Sequence, residues 1–176
     1  METRFTMHEL SKLLKIPYAS FYRTIETMKD TVITETVGHS KILKLNLKNS
    51  TIKSYLSIAS AEEKKEFLRK QPIISKLASE IKGDEIVLLF GSYAKRTETE
   101  KSDIDLLIIN NGKRTISFTM HELLFKKKIN PLFITKKEFA EMLKENEENV
   151  GKQALKSHIV LNNPEAFWGC VLDAIR

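Results

Sequence analysis

Residues 88–109 read LLFGSYAKRTETEKSDIDLLII, and this stretch decides the fold. Two apolar runs, residues 85–90 and 103–109, flank a Gly-Ser pair and ten mostly polar residues. Short apolar runs bounded by polar residues are typical of buried β-strands. We therefore predict two strands of a buried sheet, joined by a polar segment that begins at Gly91.

Asp103 and Asp105 stand two positions apart at the start of the second run. Side chains at positions i and i+2 of a strand point to the same face, so the two carboxylates are expected side by side. They would repel each other, and a hard divalent cation such as Mg²⁺ removes that repulsion because it prefers oxygen ligands. The pair is therefore a candidate metal site, and the alternative is two ordinary charges that close a loop.

The Gly-Ser pair is the second candidate element of a site. Gly91 permits close approach of the backbone, and Ser92 is placed to open a short helix whose free N–H groups suit a phosphate. The order Gly91-Ser92, ten residues, Asp103-x-Asp105 resembles the signature of the nucleotidyltransferase superfamily related to DNA polymerase beta. The match is closest to the small prokaryotic minimal nucleotidyltransferases, over about residues 84–135, and residues 149–168 also resemble the tail of that group.

The resemblance implies an α+β fold with a mixed sheet flanked by helices. It also implies that Asp103 and Asp105 hold Mg²⁺ or Mn²⁺ against the phosphates of a nucleoside triphosphate, which Gly91 and Ser92 bind. An acceptor hydroxyl then attacks the α-phosphorus and pyrophosphate leaves. Lys95 and Arg96 are close enough in sequence to help neutralise the phosphates, and their alternative role is a solvated helix end.

The third acid that active members usually carry on a later strand is not evident. The candidate strand, residues 128–135 (KINPLFIT), contains no Asp or Glu, and Asn130 is the polar residue nearest the expected position. An amide can coordinate a metal through its carbonyl oxygen, but it is a poor base. Glu122 and Glu138 are the closest acids on either side. A protein that binds a nucleotide without transferring it is therefore an alternative to an enzyme.

The first part of the chain shows a different pattern. Thr6 and Glu9 have the spacing of a capping box at the start of a helix, and Pro17 ends that helix. The apolar stripe of this first helix is Met7, Leu10, Leu13 and Leu14. A second helix is predicted from Tyr18, and alternating residues on both sides of Gly38 predict a β-hairpin.

Helix, turn, helix and hairpin is the order of a winged helix. Residues 4–48 resemble the winged helix-turn-helix domains of archaeal and bacterial transcription regulators. The resemblance implies binding of double-stranded DNA, with the second helix in the major groove and the hairpin along the phosphates. The DNA-contacting candidates are Tyr18, Ser20, Tyr22, Arg23, His39 and Lys41. The alternative is a domain for protein–protein contact, and a homodimer is an expected assembly because such regulators are often dimers.

Composition agrees with a folded protein that has a polyanionic partner. The net charge is +6, and it lies wholly in the first half. Residues 1–56 carry 9 Lys/Arg against 5 Asp/Glu, residues 57–83 carry 6 against 4, and residues 84–176 carry 14 of each. A basic half suggests nucleic acid as a partner for that half. The single cysteine, the lack of a signal peptide and the absence of long apolar runs favour the cytoplasm and no membrane.

These observations predict two domains. Residues 1–56 form a winged helix-turn-helix, residues 57–83 are linker helices, and residues 84–176 form the nucleotidyltransferase domain. The leading hypothesis is a DNA-binding protein that transfers a nucleotide to a protein, RNA or small-molecule acceptor. The alternatives are a transcription regulator with a degenerate nucleotide-sensing domain and a toxin–antitoxin component.

Overall fold

The computed structural model describes residues 5–38, 40–111 and 117–175. The chain divides into two compact units, Met1–Ile52 and Lys53–Arg176. The boundary falls at the start of one long helix, Ile52–Leu68, which runs through the position where the sequence suggested the end of the first domain. Within the described residues, none of the helices is long and apolar enough to cross a bilayer.

The first unit contains two helices and a hairpin. Its elements are α1 (Met7–Leu13), α2 (Tyr18–Thr27), β1 (Val32–Val37) and β2 (Ser40–Leu45). The capping box predicted at Thr6 and Glu9 is present. Pro17 occupies the N-cap position of α2, as expected for a residue that cannot continue α1. The strands pair antiparallel, with Val37 opposite Ser40.

The core of this unit is small. Met7, Phe21 and Ile25 are buried and pack against partly buried residues that include Leu43 of β2. The apolar stripe of α1 is buried only at its beginning, because Leu13 and Leu14 are 65% and 54% exposed. The helix ends at Leu13 and Leu14 is its C-cap, so these two side chains extend beyond the cluster around Met7.

The second unit is an α+β fold. Its helices are α3 (Ile52–Leu68), α4 (Pro72–Glu80), α5 (Gly91–Lys95), α6 (Thr119–Phe125), α7 (Lys136–Lys144), α8 (Val150–Lys156) and α9 (Pro164–Ile175). Its strands are β3 (Ile86–Phe90), β4 (Ile104–Asn110), β5 (Ile129–Thr135) and β6 (Ile159–Asn162). The four strands form one mixed sheet in the order β5-β4-β3-β6. Strand β3 is antiparallel to β4 and β6, and β4 is parallel to β5.

Both faces of the sheet are covered, which explains why its strands are apolar at consecutive positions. Alternate residues such as Val87 and Leu89 face one core, which includes Phe67, Ile74, Leu77 and Ala78 of α3 and α4. The intervening residues, such as Ile86 and Leu88, face a second core with Phe139, Phe167 and Val171 of α7 and α9. Residues 57–83, predicted as linker helices, thus contribute side chains to the core of this unit.

Strand register places three polar side chains at one end of the sheet. Asp105 lies opposite Phe90, the last residue of β3, and Asn130 lies opposite Asp105 across the parallel β4–β5 pair. Asp103 directly precedes β4, and Gly91 directly follows β3. The sequence-predicted site residues near the Asp pair therefore share one edge of the fold.

Candidate active site

The two aspartates and Asn130 form one hydrogen-bonded group. The Asn130 amide nitrogen Nδ2 donates to Asp103 Oδ2 and to Asp105 Oδ1, each at 3.2 Å. All three residues are half-buried. An amide N–H pair between two carboxylates offsets part of their mutual repulsion, because each carboxylate accepts a hydrogen bond from it.

Gly91 presses its backbone against this group. Its φ of +70° lies in the left-handed region that favours glycine. A Cβ atom at this position would collide with Asp105 Oδ2 and lie 3.1 Å from Asp105 Cγ. The absence of a side chain at residue 91 is therefore what allows the Asp105 carboxylate to reach the β3–α5 junction.

The short helix α5 is fixed to the core by its third residue. Tyr93 is buried among the apolar side chains on one face of the sheet. Ser92, which precedes it, is half-buried and lies next to Gly91 at the junction. The structure thus brings Gly91 and Ser92 together with Asp103 and Asp105, at the same end of β3 and β4.

Lys95 and Arg96 lie at the far end of α5. Both are exposed, and Arg96 has a positive φ of 58° at the C-cap. Arg96 lines a cavity of about 240 Å³ together with Glu66, Phe67 and Gln71, which belong to α3 and the segment that follows it. The side chain of Arg96 is therefore placed against α3.

Two lysines that the sequence reasoning did not single out lie near the aspartates. Lys128 Nζ is 3.9 Å from Asp103 Oδ2. Lys127 Nζ donates to the carbonyl oxygens of Thr99 and Glu100, in the polar segment between α5 and β4. The available signal was the run of three lysines, residues 126–128, directly before β5. A run of that kind usually marks a solvated surface. Only the pairing of β4 with β5 shows that it lies near the aspartates.

Neither of the neighbouring glutamates reaches the aspartate pair, because both carboxylates bond elsewhere. Glu122 Oε1 accepts from the Ile129 backbone N–H at 2.9 Å. Glu138 accepts from the backbone N–H and hydroxyl of Thr135, in a capping box that starts α7. The backbone hydrogen bond from Thr135, followed by the hydroxyl bond, lowers the pKa of Glu138. Among the described residues there is no group of three His, Cys, Asp or Glu side chains placed to hold a metal.

A family model described as polymerase beta, nucleotidyltransferase, matches residues 72–165, which is more than half of the chain. The chain belongs to this nucleotidyltransferase family. No match was found among curated proteins or among solved structures. The matched segment begins with α4 and ends at the start of α9, so it includes the whole four-stranded sheet. A domain of this family implies a nucleotide substrate, and its superfamily generally uses divalent metals.

The polar residues at this end of the sheet fit a hard divalent cation. Carboxylate and amide oxygens are ligands for Mg²⁺ and Mn²⁺. Asp103 and Asp105 supply carboxylates within hydrogen-bond reach of one amide, and Asn130 offers a carbonyl oxygen if its side chain turns its Oδ1 inward. The group has one negative charge fewer than a site with three acids. We therefore infer that it suits one cation better than two.

In the first unit, three of the DNA-contacting candidates are exposed on α2. These are Tyr18, Ser20 and Arg23. Tyr18 is 45% exposed and its ring lies 6.4 Å from that of Tyr22. Tyr22 is partly buried against the small core, and Lys41 Nζ lies over its ring at 5.2 Å from the centroid. His39 lies outside the described residues.

Ion pairs reduce the positive field of this unit at two places. Lys29 contacts Glu26 at 2.8 Å, and Lys44 contacts Glu35 at 2.5 Å. The hydrogen bond from Lys29 lowers the pKa of Glu26, and the same bond raises the pKa of Lys29. Arg23 has no ion pair within the described part of the chain, so it retains an uncompensated charge on the exposed face of α2.

Proposed function

We propose that the second unit binds a nucleoside triphosphate together with Mg²⁺ or Mn²⁺ and transfers its nucleotidyl group to an acceptor hydroxyl. The observation that supports the proposal is the contact between the Gly91 backbone and the Asp105 carboxylate, beside Asp103 and Asn130. It combines a bare stretch of backbone, which a phosphate can approach, with two carboxylates that can hold a cation.

The transfer is a displacement at the α-phosphorus. The acceptor oxygen forms a bond to that phosphorus, the bond to the bridging oxygen breaks, and pyrophosphate leaves with the electron pair. A bound divalent cation supplies neutralisation of the phosphate charge. Asp103 and Asp105 would hold that cation, and Gly91 and Ser92 would cradle the phosphates. The hydroxyl proton passes to a carboxylate or to water, because the Asn130 amide does not accept it.

The test is incubation of the protein with α-labelled nucleoside triphosphates, Mg²⁺ or Mn²⁺, and cell extract. We expect a labelled protein, RNA or small molecule, and we expect Asp103→Ala to abolish labelling. Asp84→Ala is the matched control, since Asp84 is an exposed aspartate just before β3, at the other end of the sheet. Absence of label with every nucleotide, despite metal-dependent nucleotide binding, would overturn the transferase proposal.

Asn130 favours a second candidate function, a regulator whose nucleotide site senses rather than reacts. An amide in place of an acid removes a base and one negative charge from the site. Under this proposal the protein binds a metal-nucleotide complex and releases it unchanged. Incubation with doubly labelled nucleotide and the acceptor-containing cell extract, corrected for extract alone, distinguishes the two candidates, because a sensor returns the intact triphosphate and a transferase releases pyrophosphate.

We further propose that the first unit binds double-stranded DNA through α2, with Arg23 and Lys41 as its main phosphate or base contacts. The supporting observations are the exposure of Arg23, which has no ion pair among the described residues, and the placement of Lys41 beside Tyr22. DNA affinity should fall steeply with salt as phosphate contacts are lost. Arg23→Gln should weaken binding about tenfold, or roughly 1.4 kcal/mol, whereas Lys48→Gln, an exposed lysine beyond the hairpin, should not. Absent or salt-independent binding would leave this unit as a protein-contact domain.

A further inference from the structure

A cleft of about 590 Å³ lies between α3, the start of α4 and the edge strand β6. All the residues that line it belong to the second unit. Among them are three cations, Lys64, Lys65 and Arg69, and no aspartate or glutamate is found among the described lining residues. A concave surface of this size with one sign of charge is typical of a ligand site.

The cleft is basic because the basic and acidic side chains at the end of α3 line different cavities. Lys65 and Arg69 are four residues apart, Lys64 is adjacent to Lys65, and all three line the cleft. Glu62 and Glu63 directly precede Lys64, Glu66 directly follows Lys65, and these three glutamates line a different cavity, with His158 and Trp168. The helix is therefore nearly neutral as a whole, although the face toward β6 is basic.

Two of the three cations of the cleft form no ion pair within the described chain. Lys64 Nζ donates to the carbonyl oxygen of Leu161 at 2.5 Å, and it forms no ion pair within the described chain. Arg69 is also without an ion pair there. Lys65 contacts only Glu62, at 3.7 Å on an exposed surface where such a pair contributes little. Burial lowers the pKa of Lys64, because leaving water disfavours its charged form. A bound anion would stabilise the charged form of Lys64 and so offset the effect of burial on its pKa.

The backbone of β6 also faces this cleft. The pairing of β6 with β3 skips Leu161, because Val87 lies opposite Asn162 and Leu88 lies opposite Val160. Leu161 is thus the extra residue of a bulge, and its carbonyl is turned toward α3, where Lys64 bonds it. The bulge brings the strand edge and the lysine into one wall of the cleft.

The remaining walls are apolar and firmly held. Leu68, Val160 and Pro164 supply apolar surface, and Ser75 supplies a hydroxyl. Asn163, at the junction of β6 and α9, has a positive φ of 55°. Its Nδ2 donates to the carbonyl oxygen of Asp84 at 2.9 Å, which ties this junction to the segment before β3. A ligand that combines a phosphate with a flat, less polar ring system would match both kinds of wall.

The cleft is separate from the aspartate site. Val87, near the beginning of β3, pairs with Asn162 of β6, which lines the cleft. Phe90, at the end of β3, pairs with Asp105 on the other neighbouring strand. The two features therefore lie at opposite ends of β3 and on opposite sides of it, so one mononucleotide at the aspartates does not occupy the cleft.

We propose that this cleft binds a phosphorylated ligand of nucleotide size, without a divalent cation. The phosphates contact Lys64, Lys65 and Arg69, and the sugar and base lie on the apolar wall around Leu68 and Pro164. The three positive side chains would perform the neutralisation that a metal would perform at the aspartates. This proposal does not depend on transferase activity or on metal binding at Asp103 and Asp105.

The test uses the full chain carrying Asp103→Asn and Asp105→Asn, in EDTA, so that the aspartate site is disabled. Isothermal titration calorimetry compares AMP, ATP, adenosine and inorganic phosphate as ligands. We expect saturable one-to-one binding of AMP and ATP. Adenosine and phosphate should bind much more weakly, because adenosine contacts only the apolar wall and phosphate contacts only the cations. Adding Arg69→Gln should weaken AMP binding at least tenfold, whereas Lys70→Gln should change it less than twofold.

Lys70 is the matched control because it is an exposed cation next to Arg69 that lines a different cavity. Hydrogen exchange supplies a second readout, with protection by AMP expected in residues 61–69 and 159–164. Three outcomes would overturn the proposal. They are no saturable mononucleotide binding in EDTA, equal losses in the Arg69→Gln and Lys70→Gln variants, and binding of a single-stranded oligonucleotide without binding of AMP.

Discussion

The two ends of β3 are opposite in charge and in construction. At one end, Asp103, Asp105 and Asn130 are brought together by strand pairing, and Gly91 packs against them without a side chain. At the other end, the cations of the α3–β6 cleft come from the C-terminal end of α3 and the residue that follows it. The first site is built from short side chains on or next to paired strands. The second is built from long side chains with several rotatable bonds.

The difference predicts how each site responds to substitution. Short side chains on paired strands cannot shift without a change in register, so the aspartate end should be intolerant of added volume. Lysine and arginine have several rotatable bonds, so the cleft should lose affinity in steps as single charges are removed. Gradual loss at the aspartate end, or complete loss at the cleft from one substitution, would contradict this view.

The largest effect is expected from Gly91→Ala. The new Cβ would collide with the Asp105 carboxylate at a residue whose φ is +70°. Strain of this kind costs about 1–3 kcal/mol, and metal-dependent nucleotide binding and transfer should fall more than about 100-fold, near 2.7 kcal/mol. Calorimetry with Mg²⁺-ATP and urea unfolding provide the measurements. Binding of AMP in EDTA should be unchanged.

Gly169→Ala is the control for Gly91→Ala. Gly169 lies in α9, and a Cβ there would meet nothing within 4 Å. Alanine in place of a helical glycine stabilises by up to about 1 kcal/mol, so this variant should unfold at higher urea and bind nucleotide normally. If Gly91→Ala behaved like Gly169→Ala, the close approach of Gly91 to Asp105 would have no role in binding.

The next effect concerns Asn130→Asp, which adds a third carboxylate at the position opposite Asp105. Without metal, the variant loses the amide bonds to both aspartates and gains a like charge, so it should unfold about 1–3 kcal/mol more easily. With Mn²⁺ or Mg²⁺ the added charge should raise metal affinity about tenfold, near 1.4 kcal/mol, and should increase the rate of transfer. Thermal unfolding at graded metal concentrations measures the first effect and labelling measures the second.

Asn130→Ala separates charge from the loss of the amide, because it removes the hydrogen bonds and adds no carboxylate. It should be less stable than the natural protein without metal and should show no gain with metal. Equal metal responses in Asn130→Asp and Asn130→Ala would mean that residue 130 does not face the cation, and that the third ligand must come from elsewhere.

Much of the second unit was predictable because its signals are local. The apolar runs at residues 85–90, 103–109 and 128–135 predicted strands, and β3, β4 and β5 confirm them to within one residue. The family match and the mixed sheet also confirm the predicted α+β nucleotidyltransferase fold. A glycine directly after a strand and aspartates two positions apart are short-range patterns, and strand geometry alone predicts where their side chains lie.

The cleft was not predictable, because it depends on contacts distant in sequence. Lys64 and Leu161 are 97 residues apart, and nothing in either segment states that they meet. The use of Glu122 and Glu138 as acceptors for backbone N–H groups was likewise open until their donors were located. The roles of Asp103 and Asp105 in nucleotide binding, and of the first unit in DNA binding, remain predictions that the proposed experiments test. The roles of Lys95 and Arg96 also remain predictions.

A smaller effect should distinguish two neighbouring lysines of the cleft. Lys64→Met leaves the Leu161 carbonyl without its donor, which should destabilise the protein by about 0.5–1 kcal/mol. Lys65→Met removes an exposed cation with only a 3.7 Å contact, so its effect on stability should be under about 0.5 kcal/mol. Urea unfolding measures both. Similar stabilities for the two variants would show that the Lys64 bond to β6 contributes nothing to folding.

The smallest effect concerns His158, which precedes β6, the strand that runs from the aspartate end of β3 to the cleft. Its Nδ1 lies 2.9 Å from the Ala154 carbonyl oxygen, and its ring packs against Phe167 at 5.0 Å. Burial lowers the pKa of His158 below its ordinary value of 6.5, while the carbonyl contacts oppose that shift. The unfolded chain therefore takes up a proton before the folded chain does.

Stability should consequently be constant above the ordinary pKa of histidine and should fall as pH decreases from 6.5 toward the lower folded pKa. The carboxylates whose pKa values are lowered, such as Glu138, add their own loss only below about 4.5, so the two declines begin at different pH values. The free energy of unfolding of His158→Gln should lack the first decline and retain the second. If the free energy of unfolding declined equally in the natural protein and in His158→Gln, the charge of His158 would not contribute to the pH dependence of stability.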